Sequence, residues 1–376
     1  MKKFVYFCGM MLLNVMMMAQ APLDKNYSLT FSDDFDETGR YWYRFIDYPN
    51  KYWRAFCKEY YPAGVTRGTD EHQVYREQNC VFAPAESSIK LIGEYAGHRL
   101  QCGEYDIPYY YDYTCDVNHG SLYYYSGNIE TRQKYCYGYF EIKCKLPFHM
   151  GSYPAFWLWG SDSISPACKY YEEIDIMEYS YGSKIGNGTP TRYSVGHLDN
   201  PNGTNLIYVS GNLVDLPSNN DITHWHRYGC EWLPNRIIWY LDGNAIFEYS
   251  DADSIPTHPM TLKANYSIGN TSLFHPNHSD QYPLWVGSDV MTIDYIKVFQ
   301  LKWDCSTDEM ILCQSNLENF DYKVKKSVTI SPANEEIVLN STDIANFKVT
   351  DSFEINGPFE VRTGGQFSVV VLDCLE

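Results

Sequence analysis

Short segments in which apolar and polar residues alternate occupy most of the chain, and glycine, proline, asparagine and aspartate separate them. Residues 140–146 and 291–299 alternate in this way, and residues 236–241 run into Asp242-Gly243, a dipeptide typical of tight hairpins. Because successive side chains of a strand point to opposite faces of a sheet, a period of two predicts β-strands. Amphipathic-helix periodicity is scarce, so the pattern predicts an all-β protein built as a sandwich or jelly roll.

The alternation weakens once, towards the C-terminus. From Cys305 to Lys326 polar residues accumulate as they do in linkers, and alternation returns from Val328 to Cys374. A length of 376 residues allows one large core and a small extra domain. We therefore predict a main β-domain at 27–301, a linker at 302–326 and a small β-rich accessory module at 327–376.

The N-terminus has the pattern of a secretory signal peptide. Lys2 and Lys3 precede an apolar run from Phe4 to Met18, and Ala19-Gln20-Ala21 supplies small residues two apart. The run is too short to span a bilayer, and no later stretch approaches twenty apolar residues. We predict that residues 1–21 are removed and that the mature chain is secreted or periplasmic, without membrane insertion.

Net charge and cysteine content limit which partners and metals the protein is expected to bind. A formal net charge of −18 argues against nucleic acid and anionic membranes as partners. Of the 12 cysteines, Cys8 leaves with the signal peptide, so an odd number remains and at least one is unpaired or bonds to another chain. The sequence has no Cys-x-x-Cys or His-x-x-x-His spacing, so a zinc site is not expected.

Tyrosine is unusually frequent, with 35 residues. Tyrosine favours strands, which explains most of them, but its ring also stacks on sugars. The segment between Cys102 and Cys115 is especially rich in tyrosine. We predict that a Cys102–Cys115 disulfide closes a loop that walls one end of a sugar-binding groove. A structural loop with two buried thiols is the alternative.

One segment concentrates acidic residues in a pattern that suits catalysis. Residues 173–178 read Glu-Ile-Asp-Ile-Met-Glu, and we name Glu173, Asp175 and Glu178 the carboxylate cluster. On a regular strand Glu178 points away from the other two, but one bulge residue at Ile176 or Met177 puts all three on one face. Ile174 then faces the core.

This arrangement predicts glycoside hydrolysis. Retaining glycosidases place two carboxyl groups about 5–5.5 Å apart, one as nucleophile and one as acid/base. Asp175 between the two glutamates either raises the pKa of a neighbour or orients the nucleophile. A solvated acidic edge strand and a calcium ligand set are the structural alternatives, although calcium ligands usually come from flexible loops.

Residues 173–178 are similar to the signature of glycoside hydrolase family 16 in its bulged form, found in laminarinases, agarases and endo-β-galactosidase-like enzymes. Further segments resemble other strands of that family, in order along the chain: Leu29–Phe35, Tyr125–Thr131, Tyr137–Glu141, Tyr153–Gly160, His226–Trp232 and Ile293–Phe299. Residues 327–376 resemble the short C-terminal β-modules of exported Bacteroidetes proteins.

The resemblance implies a concanavalin-like jelly roll with a groove, and a retaining endo-β-glycosidase. Glu173 is then the nucleophile, Asp175 its helper and Glu178 the acid/base. No cofactor is required for this chemistry; a structural calcium bound by Asp294 is the one metal that the resemblance allows, and an ordinary strand-end aspartate is the alternative. A non-catalytic carbohydrate-binding jelly roll and a transglycosylase remain open as functions.

The predicted substrate-binding residues come from the same comparison of motifs. They are Tyr153, Trp157, Trp159, His197, Asn128 and Asn265. Trp157 and Trp159 share one strand face, as Phe156 and Leu158 share the other, so one pair faces the groove and the other the core. Tyr153 stands where many laminarinases have tryptophan, and Asn270-Thr271-Ser272 stands where β-glucanases often have Gly-x-Trp. The substrate is therefore predicted as a β-1,3-glucan or a β-galactan or mucin-type chain.

Overall fold

The computed structural model describes residues 27–36, 53–55, 73–98, 123–162, 170–181, 189–200, 207–269, 285–301, 309–312, 320–321, 325–330, 336–341 and 343–371. Helical structure in these ranges is confined to the 3-10 turns Glu77–Asn79, Pro84–Glu86 and Ala252–Ser254. None of these turns is long and apolar enough to cross a membrane. The predicted signal peptide at 1–21 and the predicted disulfide loop between Cys102 and Cys115 lie outside the described residues.

β-Strands account for most of the described chain. In chain order they are β1 (Tyr27–Asp33), β2 (Trp53–Ala55), β3 (Gln73–Tyr75), β4 (Cys80–Ala83), β5 (Ser88–Tyr95), β6 (Tyr124–Ser126), β7 (Asn128–Tyr135), β8 (Gly138–Lys145), β9 (Ser152–Asp162), β10 (Tyr170–Glu178), β11 (Arg192–Asn200), β12 (Ile207–Asp215), β13 (His226–Leu233), β14 (Arg236–Leu241), β15 (Asn244–Tyr249), β16 (Met260–Ile268), β17 (Ser288–Leu301), β18 (Glu309–Leu312), β19 (Phe320–Asp321), β20 (Lys325–Ile330), β21 (Ile337–Leu339), β22 (Ile344–Ile355), β23 (Phe359–Val361) and β24 (Gln366–Val371).

Two large sheets hold nearly all of these strands. The first has the order β15-β14-β13-β8-β17-β5-β6-β3, with β1 beside β17 and β4 beside β5. The second has the order β12-β11-β10-β9-β16-β7-β19-β22-β20-β18, with β2 beside β7 and β24 beside β22. Antiparallel pairs join strands that are remote in sequence, such as β8 with β13 and β17. The all-β jelly-roll class predicted from the alternation is confirmed.

The core lies between the two sheets and follows from the alternation along single strands. Phe140 and Ile142 of β8 in the first sheet are fully buried, as are Phe156 and Leu158 of β9 in the second. All four belong to one continuous apolar cluster. Burial of each such side chain contributes about 1.5–3 kcal/mol, which explains why both sheets turn their apolar faces inward.

The C-terminal strands continue the second sheet. The segment 302–326, predicted as a linker, contains β18, β19 and the start of β20. Phe320 of β19 pairs with Lys134 of β7, and β22 follows β19 in the sheet. β20, β22 and β24 pair in parallel. The domain boundaries at 301 and 327 stay predictions.

Candidate active site

A bulge on β10 controls how the acidic residues are presented. On β9 the partner of Asp175 is Trp157 and the partner of Met177 is Phe156, so Ile176 is an extra residue without a partner. The register on β11 shifts over the same stretch. A bulge was predicted at this position, and the pairing confirms it. The extra residue changes the phase of the strand by one.

The bulge brings the carboxylate cluster to one face of the second sheet, which we call the site face. Glu173 and Glu178 are partly exposed on this face, whereas Asp175 between them is buried. Ile174 and Met177 point the other way and are fully buried in the core. The apolar residues of the signature therefore anchor the strand, as predicted for Ile174.

The backbone at the bulge is tied to the opposite sheet. The indole nitrogen of Trp239 on β14 donates a hydrogen bond of 2.9 Å to the carbonyl oxygen of Asp175. A bulge interrupts the strand ladder, so a carbonyl beside it needs another partner when it is buried. Trp239 supplies that partner from the core and fixes the strand at the centre of the cluster.

Burial and mutual repulsion shape the charges of the cluster. Burial raises the pKa of Asp175 well above its usual range, and the charges of Glu178 and Glu173 and a hydrogen bond to Glu173 act in the same direction. Asp175 is therefore protonated well above the pH at which an exposed aspartate ionises, and it can donate to Glu173. Burial also raises the pKa of Glu178, while hydrogen bonds from Tyr153 and Ser194 oppose that rise. A carboxyl with a raised pKa suits an acid catalyst.

Trp157 and Trp159 line the site face beside the cluster. Their Cα partners on β10 are Asp175 and Glu173, and both indoles are partly exposed. The two rings meet edge to face with centroids 5.8 Å apart. Because Phe156 and Leu158 are in the core, the tryptophans are the pair that faces the site, which answers the question left open by the sequence.

Asn265 and Lys263 of β16 hold Trp157 in place. The Asn265 side-chain oxygen accepts a 2.7 Å hydrogen bond from the Trp157 indole nitrogen. The Lys263 ammonium lies 4.7 Å from the Trp157 ring centroid and 3.8 Å from a carboxylate oxygen of buried Glu130. A cation over an indole and a hydrogen bond at its edge together restrict the ring to one orientation.

Asn128 lies on β7 opposite Asn265, one strand further from the cluster. Its side chain is 1% exposed, and within the described part of the chain neither of its amide atoms has a hydrogen-bond partner. The Asn265 amide nitrogen, in contrast, donates to Ser267 and Tyr75. Of the two asparagines predicted to bind substrate, Asn265 thus acts on Trp157 directly, and Asn128 stays at the edge of this network.

His197 was predicted to line the groove, and the structure places it on the opposite face. Its cross-strand partner is the core residue Ile174, and its side chain is fully buried. Ser210 lies 2.6 Å from Nδ1, and Nε2 lies 3.0 Å from the Ser254 carbonyl oxygen. Burial lowers the pKa of His197 to about 4, so the ring is neutral and structural. The prediction was wrong because Gly196, not His197, is in phase with Asp175.

Asp294 was predicted as either a structural calcium ligand or an ordinary strand-end aspartate, and in the structure it pairs with a lysine. One carboxylate oxygen lies 2.5 Å from the ammonium of Lys143 on β8. Among the described residues no group of three or more His, Cys, Asp or Glu side chains could hold a metal ion. The salt bridge to Lys143 favours the alternative of an ordinary strand aspartate, and calcium binding by Asp294 stays a prediction.

Some contacts of the site were not predicted from the sequence. Ser194 reaches Glu178 from β11, Lys263 lies against Trp157, and Trp239 caps the bulge from the other sheet. A lysine inside the apolar strand 260–268 is a visible signal, since buried lysines need a partner. Ser194 and Trp239 carry no local signal, because their roles depend on pairing between distant strands.

Comparisons with known proteins agree with this geometry. The family model described as glycosyl hydrolases family 16 matches residues 77–296. The endo-1,3-1,4-beta-glycanase EglC of Rhizobium meliloti is 28% identical over 290 residues, which cover 73% of this chain and 52% of EglC. A beta-glucanase of Rhodothermus marinus is 26% identical over 230 residues, which cover 60% of this chain and 66% of that protein. The chain thus spans about half of the length of EglC.

The fold is also similar to that of solved structures. The laminarinase catalytic domain of Thermotoga maritima MSB8 superimposes with a TM-score of 0.52 and 21% sequence identity. The alignment covers 73% of this chain and 99% of that domain. At this sequence identity the structural similarity supports the jelly-roll fold and nothing about function.

Proposed function

The chain belongs to glycosyl hydrolase family 16, and on that basis we propose that it is a retaining endo-β-glycosidase that cuts internal β-linkages of a glycan by double displacement. The observation that carries the proposal is the bulge at Ile176, which presents the carboxylate cluster on one face beside Trp157 and Trp159. A lectin needs the aromatic residues but has no use for three carboxylates that repel one another. The cost of that repulsion favours catalysis over simple binding.

In the first step, Glu178 donates its proton to the departing glycosidic oxygen while the Glu173 carboxylate attacks the anomeric carbon. The bond from that carbon to the oxygen breaks, and a covalent glycosyl-enzyme forms. The raised pKa of Glu178 keeps the proton available to a pH above that of an exposed glutamate. In the second step, Glu178 takes a proton from water, and the water oxygen displaces Glu173.

Asp175 is proposed to orient the nucleophile. Burial and the two neighbouring charges favour its protonated form, and that form donates a hydrogen bond to Glu173. A neutral Asp175 also removes one negative charge from the middle of the cluster. Glu173 can then stay ionised next to Glu178 without facing two charged neighbours.

The substrate that we propose is a β-1,3-glucan or mixed-linkage β-glucan. Two of the relatives are named as an endo-1,3-1,4-beta-glycanase and a beta-glucanase. Asn270-Thr271-Ser272, where β-glucanases often have Gly-x-Trp, favours a second candidate, a β-galactan or mucin-type chain. Residues 1–21 support export of the enzyme to the periplasm or the cell exterior, where such polymers occur.

Two variants test the catalytic roles. Glu173→Gln keeps the volume of the side chain but loses the charge, so we expect at least about a 1,000-fold loss of kcat with an unchanged melting temperature. Glu178→Ala should slow natural polysaccharide far more than substrates with an activated leaving group, and azide should partly restore its second step. Glu248→Gln, an exposed glutamate of β15, is the matched control and should leave kcat unchanged. Near-normal activity of pure Glu173→Gln protein would contradict the assignment.

Product analysis tests the stereochemistry and the substrate. Proton NMR of early products should show the β-anomer, since two inversions restore the configuration. A panel of laminarin, mixed-linkage glucan, agarose, keratan sulfate and mucin glycans, analysed by product mass, identifies the polymer. The same digests with added acceptor oligosaccharides separate hydrolysis from transglycosylation. Early α-anomers, or binding without any product, would contradict the proposal.

A further inference from the structure

Tyr153 contacts the proposed acid/base directly. It lies on β9, where its Cα partner is Ser267 of β16, and its hydroxyl donates a hydrogen bond to Oε1 of Glu178. The Ser194 hydroxyl lies 3.5 Å from the other carboxylate oxygen, Oε2, which is at the limit of a hydrogen bond. Tyr153 is thus the stronger of the two side-chain donors that Glu178 receives from neighbouring strands.

The Tyr153 phenol keeps its proton well into the alkaline pH range. Burial raises the pKa of Tyr153 well above its usual range, and the charge of Glu178, its hydrogen bond and the charges of Asp175 and Glu173 add to the rise. A phenol that donates to a carboxyl group stabilises its ionised form more than its protonated form. It therefore opposes the effect of burial on Glu178.

We propose that Tyr153 is a positioning residue that orients the Glu178 carboxyl and sets the upper pH limit of acid catalysis. The proposal rests on the assigned role of Glu178. It departs from the sequence-based prediction, in which Tyr153 bound the sugar. With Oε1 occupied by the phenol, the catalytic proton resides on Oε2, and Oε2 is the oxygen presented to the glycosidic bond.

Within the described residues, a few other groups face Glu178 and can change the upper pH limit of acid catalysis. Tyr153 approaches from β9 and Ser194 from β11, while Asp175 and Glu173 belong to the same strand. Ser194 does not titrate in water, and the two acidic neighbours remain in place when Tyr153 is changed. Removing the phenol hydroxyl therefore isolates one contribution to the ionisation of Glu178.

The test is the pH dependence of kcat/KM for Tyr153→Phe on the preferred polysaccharide. The loss of one donor to the carboxylate should move the basic limb to higher pH by about one unit, a tenfold change in the ionisation constant. We also expect kcat to fall about tenfold at the optimum with KM within twofold, because the carboxyl loses its orientation. Substrates with activated leaving groups should lose less.

Two further variants make the result specific. Tyr240→Phe removes a phenol-to-carboxylate hydrogen bond to Glu231 in the first sheet and should leave the pH profile unchanged. Ser194→Ala should shift the basic limb in the same direction as Tyr153→Phe but by less, since its contact with Oε2 is longer. Circular dichroism melting confirms that each variant is folded.

The outcomes separate this inference from the proposed function. If Glu178→Ala retains the basic limb, Glu178 is not the acid and both ideas fail. If Glu178→Ala loses the limb but Tyr153→Phe leaves it in place, only the role of Tyr153 is overturned. A rise in KM for Tyr153→Phe with an unchanged kcat and pH profile also overturns it and returns Tyr153 to sugar binding.

Discussion

Asp175 is the residue at which stability and function oppose each other most directly. It is buried between two other acidic side chains, and burial is the first cause of its raised pKa. Because the folded protein binds this proton more tightly than the unfolded chain, the contribution of Asp175 to stability is largest at low pH. It is lost as the pH rises from the unfolded value of about 3.9 towards the raised folded value.

We predict that Asp175→Asn stabilises the protein at pH 7 and impairs catalysis. The amide keeps the shape of the side chain without a charge that can repel its neighbours, so the urea midpoint should rise. The nucleophile loses its specific partner, and kcat should fall by up to about 100-fold. Urea unfolding at pH 4 and pH 7, together with initial rates, measures both effects.

Asp215→Asn is the control for this prediction. Asp215 is exposed on β12, and its hydrogen bond with Arg192 lowers its pKa. The pKa shift of Asp215 is therefore opposite in direction to that of Asp175. The urea midpoint of Asp215→Asn should stay the same or fall slightly. A midpoint for Asp175→Asn that is lower at pH 7 than in the parent protein would show that the Asp175 carboxylate is stabilised where it lies.

β11 has one face on the site face of the second sheet and the other in the core. Ser194 and Gly196 lie across from Glu178 and Asp175 on the site face, whereas His197 lies across from Ile174 and packs against Trp239 with ring centroids 6.4 Å apart. His197 also reaches the Ser254 carbonyl in the loop before β16. β11 therefore joins β10, which carries the carboxylate cluster, to the loop that leads into β16.

We predict that His197 makes the fold sensitive to acid. Its pKa is about 4 in the folded protein and about 6.5 in an unfolded chain, so the unfolded state binds more protons between these values. Stability should fall by up to about 3 kcal/mol as the pH decreases from about 6.5 to about 4. Urea unfolding at several pH values in this window measures the slope.

His197→Gln tests the source of that slope. Glutamine does not titrate and can still donate to the Ser254 carbonyl, so the difference between parent and variant should shrink as the pH falls. The variant should keep its kcat at pH 7, because His197 does not reach the site face. Parallel pH profiles of stability for the two proteins would mean that other groups cause the acid sensitivity.

At the scale of the molecule, the strands that carry the site all precede residue 301. The carboxylate cluster, the tryptophans and Lys263 lie on β9, β10 and β16, between β11 and β7 in the second sheet. In the described part of the chain, the C-terminal strands meet this region through the pairing of Phe320 with Lys134 on β7. Two strands, β7 and β16, separate that contact from β9.

We predict that a chain ending at residue 301 keeps its chemistry. Its kcat/KM on soluble oligosaccharides should stay within about twofold of the full chain, because the carboxylate cluster, Trp157 and Trp159 all precede β17. The loss of packing on β7 should lower the melting temperature by a few degrees at most. Initial rates and circular dichroism melting of both chains measure these effects, and a loss of activity above tenfold would place the C-terminal strands in the working enzyme.

The amino-acid pattern predicted some of these features and missed others. Alternation predicted the all-β class, and the phase of residues 173–178 required a bulge that the pairing confirmed. The assignment of His197 to the groove failed, because the face of a strand depends on its register with a neighbour. The salt bridge between Asp294 and Lys143 was not predicted, because Lys143 lies on another strand.

The sequence by itself determined the local features of this protein: strands from a period of two, and an acidic segment, residues 173–178, whose apolar residues had to face inward while its acids faced outward. Those features depend on neighbours along the chain. Tertiary structure alone decided that Tyr153 holds Glu178, that Lys263 lies over Trp157 and that burial raises the pKa of the two acids. Each of these depends on distances and solvent exclusion between distant strands, and such quantities exist only after the sheets have packed together.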